Sequence, residues 1–178
     1  DIKFAPDGVH VAVGNADNGI DVYEMGEGGR SVRRVAKFEG HSSFVNHLDF
    51  SADSLKLQTN CGAHELLYWS RSSGGRWAQE KSSSKMRDTE WSTQTCIYGW
   101  FVRGVWPEGA DGTDINACAK SNTGHQEGRF KTHLLVTSDD FGKVKLFRYP
   151  CVVPNADCKP YGGHSSHVTN VGFSADDR

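Results

Sequence analysis

The sequence predicts an all-β fold assembled from a repeated sheet unit, and three observations lead to this prediction. Residues 40–53 and 163–176 share nine identical residues in register, which indicates an internal repeat. Short apolar runs rich in β-branched and aromatic residues alternate with Gly, Asn and Asp, a pattern typical of hairpins. No stretch combines a 3.6-residue period with helix caps, so almost no helix is expected.

Each repeat unit is expected to contain a strand pair around a tight turn, after an entry segment that ends in Phe or Ala. In chain order the strand pairs are 9–14 with 20–23, 55–60 with 66–69, and 134–137 with 144–147. The step from Phe4 to Phe50 is 46 residues, close to the ~40–45 residues of a WD repeat, whose four-stranded blades stack around a channel. The sequence therefore predicts a partial WD-repeat β-propeller, with about three blades plus the first strand of another.

The blade units fall at about 1–40, 41–98 and 113–162, and the next unit starts at 163–178. Two insertions interrupt them. Residues 71–87 are rich in Ser and Gly, and we interpret them as a mobile loop. Residues 99–112 contain Trp100, Phe101 and Trp106 and are expected to pack on the propeller. Because propellers close with about four to eight blades, the chain is expected to be a fragment that needs the rest of its parent propeller.

Certain positions in a WD repeat share a hydrogen-bond network that pins one edge of the blade. They are the Gly-His histidine, a turn aspartate and the tryptophan that ends a strand. His41 and Trp69 fit these positions in the second unit, but no Asp lies in its turn. The third unit has Asp139 and Asp140 but Phe147 instead of Trp, and His164 is the histidine of the next unit. The network is therefore expected to be incomplete in each unit.

Composition excludes several classes of function. The formal net charge is −2 and the pI about 6.5, whereas a nucleic-acid-binding domain usually has a basic face. No run of 18 apolar residues is present, so no membrane span is expected. The five cysteines are odd in number and irregularly spaced, which favours reduced thiols in a cytosolic protein.

Three short patterns in the sequence suggest functional sites, but each also has a simpler structural explanation. Residues 140–142 spell Asp-Phe-Gly, but the other kinase motifs are absent, and a tight turn is favoured. Zinc could be bound by the two cysteines at 151 and 158 and the two histidines at 164 and 167. The spacings within these pairs do not fit those of structural zinc sites. Asp139 and Asp140 are interpreted as turn and cap residues, not as a catalytic pair. We predict no catalytic, cofactor-binding or metal site.

Two sets of residues are candidates for contact with a partner. The insertion 71–87 has five basic residues against Glu80, and such a surplus would attract an acidic partner; the alternative is an ordinary solvated loop. The basic residues are Arg71, Arg76, Lys81, Lys85 and Arg87. Trp100 and Trp106 are either an exposed aromatic anchor or plugs that seal a blade, and plugs are favoured.

Four segments resemble the echinoderm microtubule-associated-protein-like family. They are 40–49 (Gly-His-Ser-Ser-Phe-Val-Asn-His-Leu-Asp), 104–117, 139–151 and 162–171 (Gly-Gly-His-Ser-Ser-His-Val-Thr-Asn-Val). The resemblance runs nearly end to end and departs most in 71–87. It implies the closing part of the second of two tandem atypical propellers. It also implies a role in binding microtubules or tubulin in the cytoplasm and cytoskeleton, including the spindle, although much of the family's microtubule binding resides in an N-terminal basic and coiled-coil region.

The prediction of function is a non-catalytic protein-interaction scaffold within a microtubule-associated protein. It has no cofactor, its partners are tubulin and other proteins, and it binds neither nucleic acid nor membrane. The alternatives are a generic WD-repeat adaptor in another complex and, less favoured, an enzyme whose site lies in a propeller channel.

Overall fold

Antiparallel strands dominate the chain. The structure is a computed structural model that describes residues 1–127 and 130–177. Within these ranges the strands form three sheets of four principal strands, and the helices are the short 3₁₀ segments Glu27–Gly29, Ser83–Met86 and Trp100–Val105. The predicted all-β class is confirmed, and successive four-stranded antiparallel sheets are the organisation of a partial β-propeller. Two compact units divide the chain, Asp1–Ser92 and Thr93–Arg178.

The first unit contains two sheets, in each of which neighbouring strands follow one another along the chain. The first sheet consists of β1 (Ile2–Phe4), β2 (His10–Gly14), β3 (Ile20–Gly26) and β4 (Ser31–Phe38). The second repeats this order with β5 (Val45–Phe50), β6 (Lys56–Cys61), β7 (Leu66–Arg71) and β8 (Trp77–Glu80). All of the pairings are antiparallel.

The two sheets of the first unit share one apolar core. Phe38, at the end of β4, stacks on Trp69 of β7 with ring centroids 4.3 Å apart and planes 5° apart. An aromatic pair of this kind contributes about 0.5–1.5 kcal/mol beyond its buried area, so it ties the first sheet to the second. The aliphatic members of the core include Ile20, Val22, Leu48 and Leu57, and all four are buried.

The structure corrects the interpretation of 71–87 as a mobile loop. Trp77–Glu80 is the fourth strand of the second sheet and pairs with β7 from Tyr68 to Arg71. Trp77 is buried against Phe38 and Phe50, and Met86 is buried farther along. Because burial of a large apolar side chain stabilises by about 1.5–3 kcal/mol, these two residues anchor a segment that is otherwise polar.

Strand β4 is the outermost strand of the first sheet. Its first four residues are exposed, and Val32 is among them. Arg33 and Arg34 project from it and form ion pairs with Glu24 and Asp21 of β3. Charged side chains therefore flank the unpaired backbone edge of this strand.

The second unit contains the third sheet. Its strands are β9 (Ile115–Lys120), β10 (His125–Glu127), β11 (Phe130–Asp139), β12 (Val144–Tyr149) and β13 (Lys159–Tyr161). β11 pairs with β9 and β12, β13 adds beside β12, and the short β10 pairs with the start of β11. Leu135, Phe147 and Ile115 form its core together with buried residues from 97–105.

Residues 99–112 are docked on the third sheet through the 3₁₀ segment. Val102 and Val105 are buried in the core of the second unit. Cys151 N–H donates to Phe101 O, and Gly104 N–H donates to Cys151 O, each at 2.8 Å. A Cβ on Gly104 would lie 2.3 Å from Val153 O, so this close approach requires glycine.

The two repeat segments found in the sequence make equivalent contacts within their own units. Val45 N–H donates to Asn15 O and Val168 N–H donates to Asp139 O, at 3.1 and 3.0 Å. Ser54 and Asp177 lie four residues after Phe50 and Phe173, the last matching phenylalanines, and both adopt a positive φ. Residues 168–173 are not assigned to a strand, although they align in sequence with β5.

A second pair of equivalent contacts joins the turns next to these segments. Asp7 N–H donates to Ser54 Oγ at 3.0 Å in the first unit. In the second unit, Thr123 N–H donates to Asp177 Oδ2 and Asn122 N–H to Asp177 Oδ1, both at 2.6 Å. We call these contacts the serine joint (Asp7 and Ser54) and the carboxylate joint (Asn122, Thr123 and Asp177).

Candidate functional site

The most connected polar cluster in the first unit surrounds His41. Its Nε2 lies 2.7 Å from Thr59 Oγ1, and Trp69 Nε1–H donates to the same oxygen at 3.2 Å. On the other side of the ring, Nδ1 lies 3.3 Å from Glu65 Oε2. We call these four residues the His41 network; they connect β6, β7 and the loop between β4 and β5.

Hydrogen-bond accounting assigns the protons in this network. Trp69 can only donate, so Thr59 Oγ1 accepts its N–H. A neutral His41 then accepts the Thr59 hydroxyl proton at Nε2 and donates from Nδ1 to the Glu65 carboxylate. Every polar atom of the chain Trp69–Thr59–His41–Glu65 is satisfied in this arrangement.

The structure therefore corrects the expectation that the network is incomplete in the second unit. The carboxylate is Glu65, the last residue of the β6–β7 turn, and Thr59 bridges the histidine and the tryptophan. Sequence reasoning missed Glu65 because it sought an Asp in that turn. It missed Thr59 because a hydroxyl on an alternating strand carries no distinctive pattern. A carboxylate of either length next to the turn would have been the better signal.

Glu65 is held as an anion by several donors. Its Oε1 accepts the Ser42 hydroxyl at 2.6 Å, and its Oε2 accepts Ser42 N–H at 2.9 Å and the Cys61 thiol at 3.1 Å. These hydrogen bonds, those from Ser42 first, lower the pKa of Glu65 to about 2. Burial lowers the pKa of His41 and outweighs the opposing effect of Glu65, so the imidazole is kept neutral.

The equivalent position in the third sheet has no such network. Thr137 occupies the place of Thr59, and Phe147 the place of Trp69, by their register with the neighbouring strand. The Phe147 side chain has no N–H to donate. The Thr137 hydroxyl is buried and has no hydrogen-bond partner within the described ranges.

Asp139 and Asp140 shape the turn between β11 and β12. Asp139 Oδ1 accepts the N–H groups of Phe141 and Lys143 at 3.0 and 2.8 Å, and its Oδ2 lies 2.8 Å from Lys145 Nζ. Asp140 Oδ1 accepts the Asn116 amide at 2.8 Å. Hydrogen bonds from Asn116 and then from His167 lower the pKa of Asp140. The Asp-Phe-Gly triplet is thus part of a tight turn.

The histidine that contacts Asp140 is His167, whose Nδ1 lies 2.7 Å from Asp140 Oδ1. The His164 side chain is exposed and has no hydrogen bond within the described part of the chain. Among the described residues, no three of the four residues considered for zinc lie close enough together to hold one ion. Cys151 is buried, and burial first and then Cys158 raise the pKa of its thiol to about 11.

The basic residues of 71–87 differ in their surroundings. Lys85 lies 3.3 Å from Glu80, and Arg87 lies 3.5 Å from Asp88. Arg76 and Lys81 are exposed and Arg71 is half-buried; none of the three takes part in an ion pair between described residues. Two of the five basic side chains are thus partly neutralised by neighbouring carboxylates.

Of the two candidate tryptophans, Trp106 packs against the core of the second unit. Trp106 is half-buried, stacks on Tyr98 with centroids 5.5 Å apart, and donates from Nε1 to Ile97 O at 3.0 Å. Trp100 begins the 3₁₀ segment, is half-buried, and has the Arg103 guanidinium 5.9 Å from its ring centroid. Trp106 thus has the contacts of a packing residue.

Within the described ranges no helix has the length and apolar character that a membrane span requires.

Comparison with known proteins gives a consistent result. A family model described as the second β-propeller of echinoderm microtubule-associated protein matches residues 1–178. Echinoderm microtubule-associated protein-like 2 of Rattus norvegicus is 51% identical over 99% of this chain and 25% of its own length. The 77 kDa echinoderm microtubule-associated protein of Lytechinus variegatus is 47% identical over 98% of the chain and 25% of its own length.

Human echinoderm microtubule-associated protein-like 1 is 48% identical over 99% of the chain and 20% of its own length. The chain thus spans a fifth to a quarter of the relatives that it matches.

Proposed function

The chain belongs to the echinoderm microtubule-associated protein family, and on this premise we propose that it is a non-catalytic, protein-binding segment of a microtubule-associated protein. The observation that carries the proposal is an identity of about half over nearly the whole chain to proteins named for microtubule association. We place its action in the cytoplasm on the microtubule cytoskeleton, and the spindle is one such location.

The organisation of the sheets supports a binding role. The apolar side chains of the sheets are buried in their cores. Turns, loops and outer strands therefore remain as contact surfaces. In the same proposal the blade units are 1–40, 41–98 and 113–162, with 163–178 as the start of another. The equivalent contacts of Val45 and Val168 support this division.

We further propose that the basic surface of 71–87 contacts the acidic surface of tubulin. Lys81 is exposed and outside the ion pairs of the described residues, and Arg76 lies on the same insertion. Because Lys85 and Arg87 form ion pairs with Glu80 and Asp88, they contribute less to the attraction of an acidic partner. Attraction of this kind mainly accelerates association and weakens with salt.

The test is co-sedimentation of the parent protein with microtubules at two ionic strengths. The triple variant Lys81→Glu, Lys85→Glu and Arg87→Glu is expected to bind several-fold more weakly, with the larger loss at low salt. A matched control reverses the same number of charges on β4, with Arg33→Glu, Arg34→Glu and Lys37→Glu, and is expected to bind like the wild type. Equal binding of all three proteins would contradict the contact surface. If the wild-type parent does not co-sediment, the microtubule role itself is wrong and an adaptor in another complex replaces it.

A further inference from the structure

Two members of the His41 network, His41 and Glu65, lie close to Cys61, and all three side chains are of types that can bind a metal ion. The atoms His41 Nδ1, Cys61 Sγ and Glu65 Oε2 all lie within 4.8 Å of one another. Glu65 Oε2 is 3.3 Å from His41 Nδ1 and 3.1 Å from Cys61 Sγ. This is the one group of three such ligands among the residues that the structure describes.

We propose that His41, Cys61 and Glu65 form a binding site for Zn²⁺ or a chemically similar divalent cation. Donor atoms on a tetrahedral Zn²⁺, with bonds of about 2.0–2.3 Å, stand roughly 3.3–3.6 Å apart. The separations from Glu65 Oε2, 3.3 Å to His41 Nδ1 and 3.1 Å to Cys61 Sγ, are already close to this geometry. The separation between Nδ1 and Sγ is within 4.8 Å and adjusts by side-chain movement when the cation binds. A mixed nitrogen, sulfur and oxygen donor set favours zinc over Mg²⁺ and Ca²⁺, which prefer oxygen alone.

The charges of the site also fit a divalent cation. Glu65 is already an anion, and the Cys61 thiol loses its proton when it binds the metal. Two negative ligands and a neutral imidazole neutralise the two positive charges. Binding of the cation thus releases one proton, and the cation together with its three ligands has no net charge.

The surrounding hydrogen bonds allow His41 to change its tautomer. In the metal-bound state Nδ1 has no proton, so the ring proton is on Nε2 and points at Thr59 Oγ1, 2.7 Å away. The Thr59 hydroxyl then turns to Leu67 O, which lies 3.4 Å from it. Thr59 is therefore a hydrogen-bond partner of the His41 ring in both states, and each of these buried polar atoms keeps a partner when the cation binds.

The site has access to solvent and an outer-shell partner. His41 and Cys61 are buried, but the Glu65 side chain is 34% exposed, so a water molecule can complete the coordination from that side. The Ser42 hydroxyl holds Glu65 Oε1 at 2.6 Å. It fixes the orientation of the carboxylate, as residues that hydrogen-bond to metal ligands do at other metal sites.

The experiment is a titration of the intact, reduced protein with Co²⁺ as a spectroscopic probe and with Zn²⁺ in competition. We expect a thiolate-to-cobalt charge-transfer band that Zn²⁺ abolishes and that Mg²⁺ and Ca²⁺ do not affect. Cys61→Ser should lose the band. The matched control Cys158→Ser, which removes an exposed thiol elsewhere, should retain it. A wild-type protein without the band, or a Cys61→Ser variant that keeps it, would overturn the proposal.

Two further variants decide the question if Cys61→Ser does not fold, as judged by circular dichroism. Glu65→Gln keeps an amide oxygen for Ser42 but removes the negative ligand. It should weaken Zn²⁺ binding by more than the roughly 10- to 100-fold that loss of an outer-shell partner costs. Ser42→Ala should fall within that roughly 10- to 100-fold range. Wild-type affinity in the Glu65→Gln variant would show that these side chains serve the hydrogen-bond network alone.

Discussion

Two threonines at equivalent positions, Thr59 in the second sheet and Thr137 in the third, have opposite surroundings. Each lies two residues before the end of its strand, and four residues separate that strand from the next. Each is paired with the residue eight positions later, Thr59 with Leu67 and Thr137 with Lys145. The Thr59 hydroxyl bridges a histidine and a tryptophan, whereas the Thr137 hydroxyl is buried without a partner within the described ranges. The backbone template is therefore the same, and the polar network is an addition to it.

The difference shows what holds each sheet. In the third sheet, Leu135 and Phe147 pack with residues from 97–105, and this apolar packing suffices without a network. In the second sheet the network adds polar links between the β4–β5 loop, the β6–β7 turn and β7. A buried hydroxyl thus stabilises only where its neighbours can complete its hydrogen bonds.

The largest expected effect comes from removing the bridge itself. Thr59→Val keeps the shape of the side chain but leaves His41 Nε2 and Trp69 Nε1 without a partner. Because each buried polar group left unpaired costs about 1–3 kcal/mol, we expect the free energy of unfolding to fall by about 3 kcal/mol. Urea unfolding followed by far-UV circular dichroism measures it. A loss near zero would mean that the network does not contribute to the free energy of unfolding.

A smaller loss is expected when the second sheet is made to resemble the third. Trp69→Phe copies Phe147 and removes one donor to Thr59, while His41 still satisfies that hydroxyl. We expect a loss of about 1–2 kcal/mol, measured by the same unfolding experiment. If Trp69→Phe were as damaging as Thr59→Val, the stack on Phe38 and not the hydrogen bond would dominate at this position.

The serine and carboxylate joints predict a difference in the response to acid. The Thr123 hydroxyl first, and then the N–H groups of Asn122 and Thr123, lower the pKa of Asp177 to about 2, from 3.8. The stabilisation from Asp177 is therefore fully present above about pH 4 and is lost as the pH falls towards 2. Hydrogen exchange of the Asn122 and Thr123 amides should show protection decreasing over this range.

Asp177→Ser supplies the control for this experiment, because it recreates the acceptor of the serine joint. Its Asn122 and Thr123 amides should be less protected at neutral pH and should lose the pH dependence. Persistence of the same acid transition in this variant would assign the titration to another group.

The smallest effect is expected for the unpartnered threonine. Thr137→Val replaces a buried hydroxyl that makes no hydrogen bond with a methyl of similar size. The free energy of unfolding should change by less than about 1 kcal/mol, and in the stabilising direction. Comparison with Thr59→Val under identical conditions is the measurement. Clear destabilisation by Thr137→Val would show that this hydroxyl does have a partner.

The repeat pattern predicted the class and organisation of the fold. The shared residues at 40–53 and 163–176 led to repeated units, and apolar runs between Gly, Asn and Asp turns led to the strand pairs of all three sheets. Strand β8 was missed because it contributes a single large apolar residue, Trp77, within a segment rich in Ser and Gly. Its burial depends on Phe38 and Phe50, which are distant in sequence, so no local pattern reveals it.

The candidate site was only partly predictable. His41 and Trp69 carry a recognisable spacing, and the structure brings them together through Thr59. The convergence of Cys61 and Glu65 on the same histidine was not foreseen. Cys61 lies twenty positions after His41, with the complete strand β5 between them, and only the sheet register brings them to one place. His164 was expected to have a structural role, but His167 is the residue that contacts Asp140.

Strand β4 presents an open row of backbone donors and acceptors together with an exposed valine, features that invite another strand to add on. Its arginines, tied back to Glu24 and Asp21, make that docking unfavourable, because an incoming strand would have to break the ion pairs and dehydrate the charges. We therefore expect the rim of the first sheet to resist fibril growth. Neutralising Arg33 and Arg34 would remove the safeguard and leave a template for aggregation.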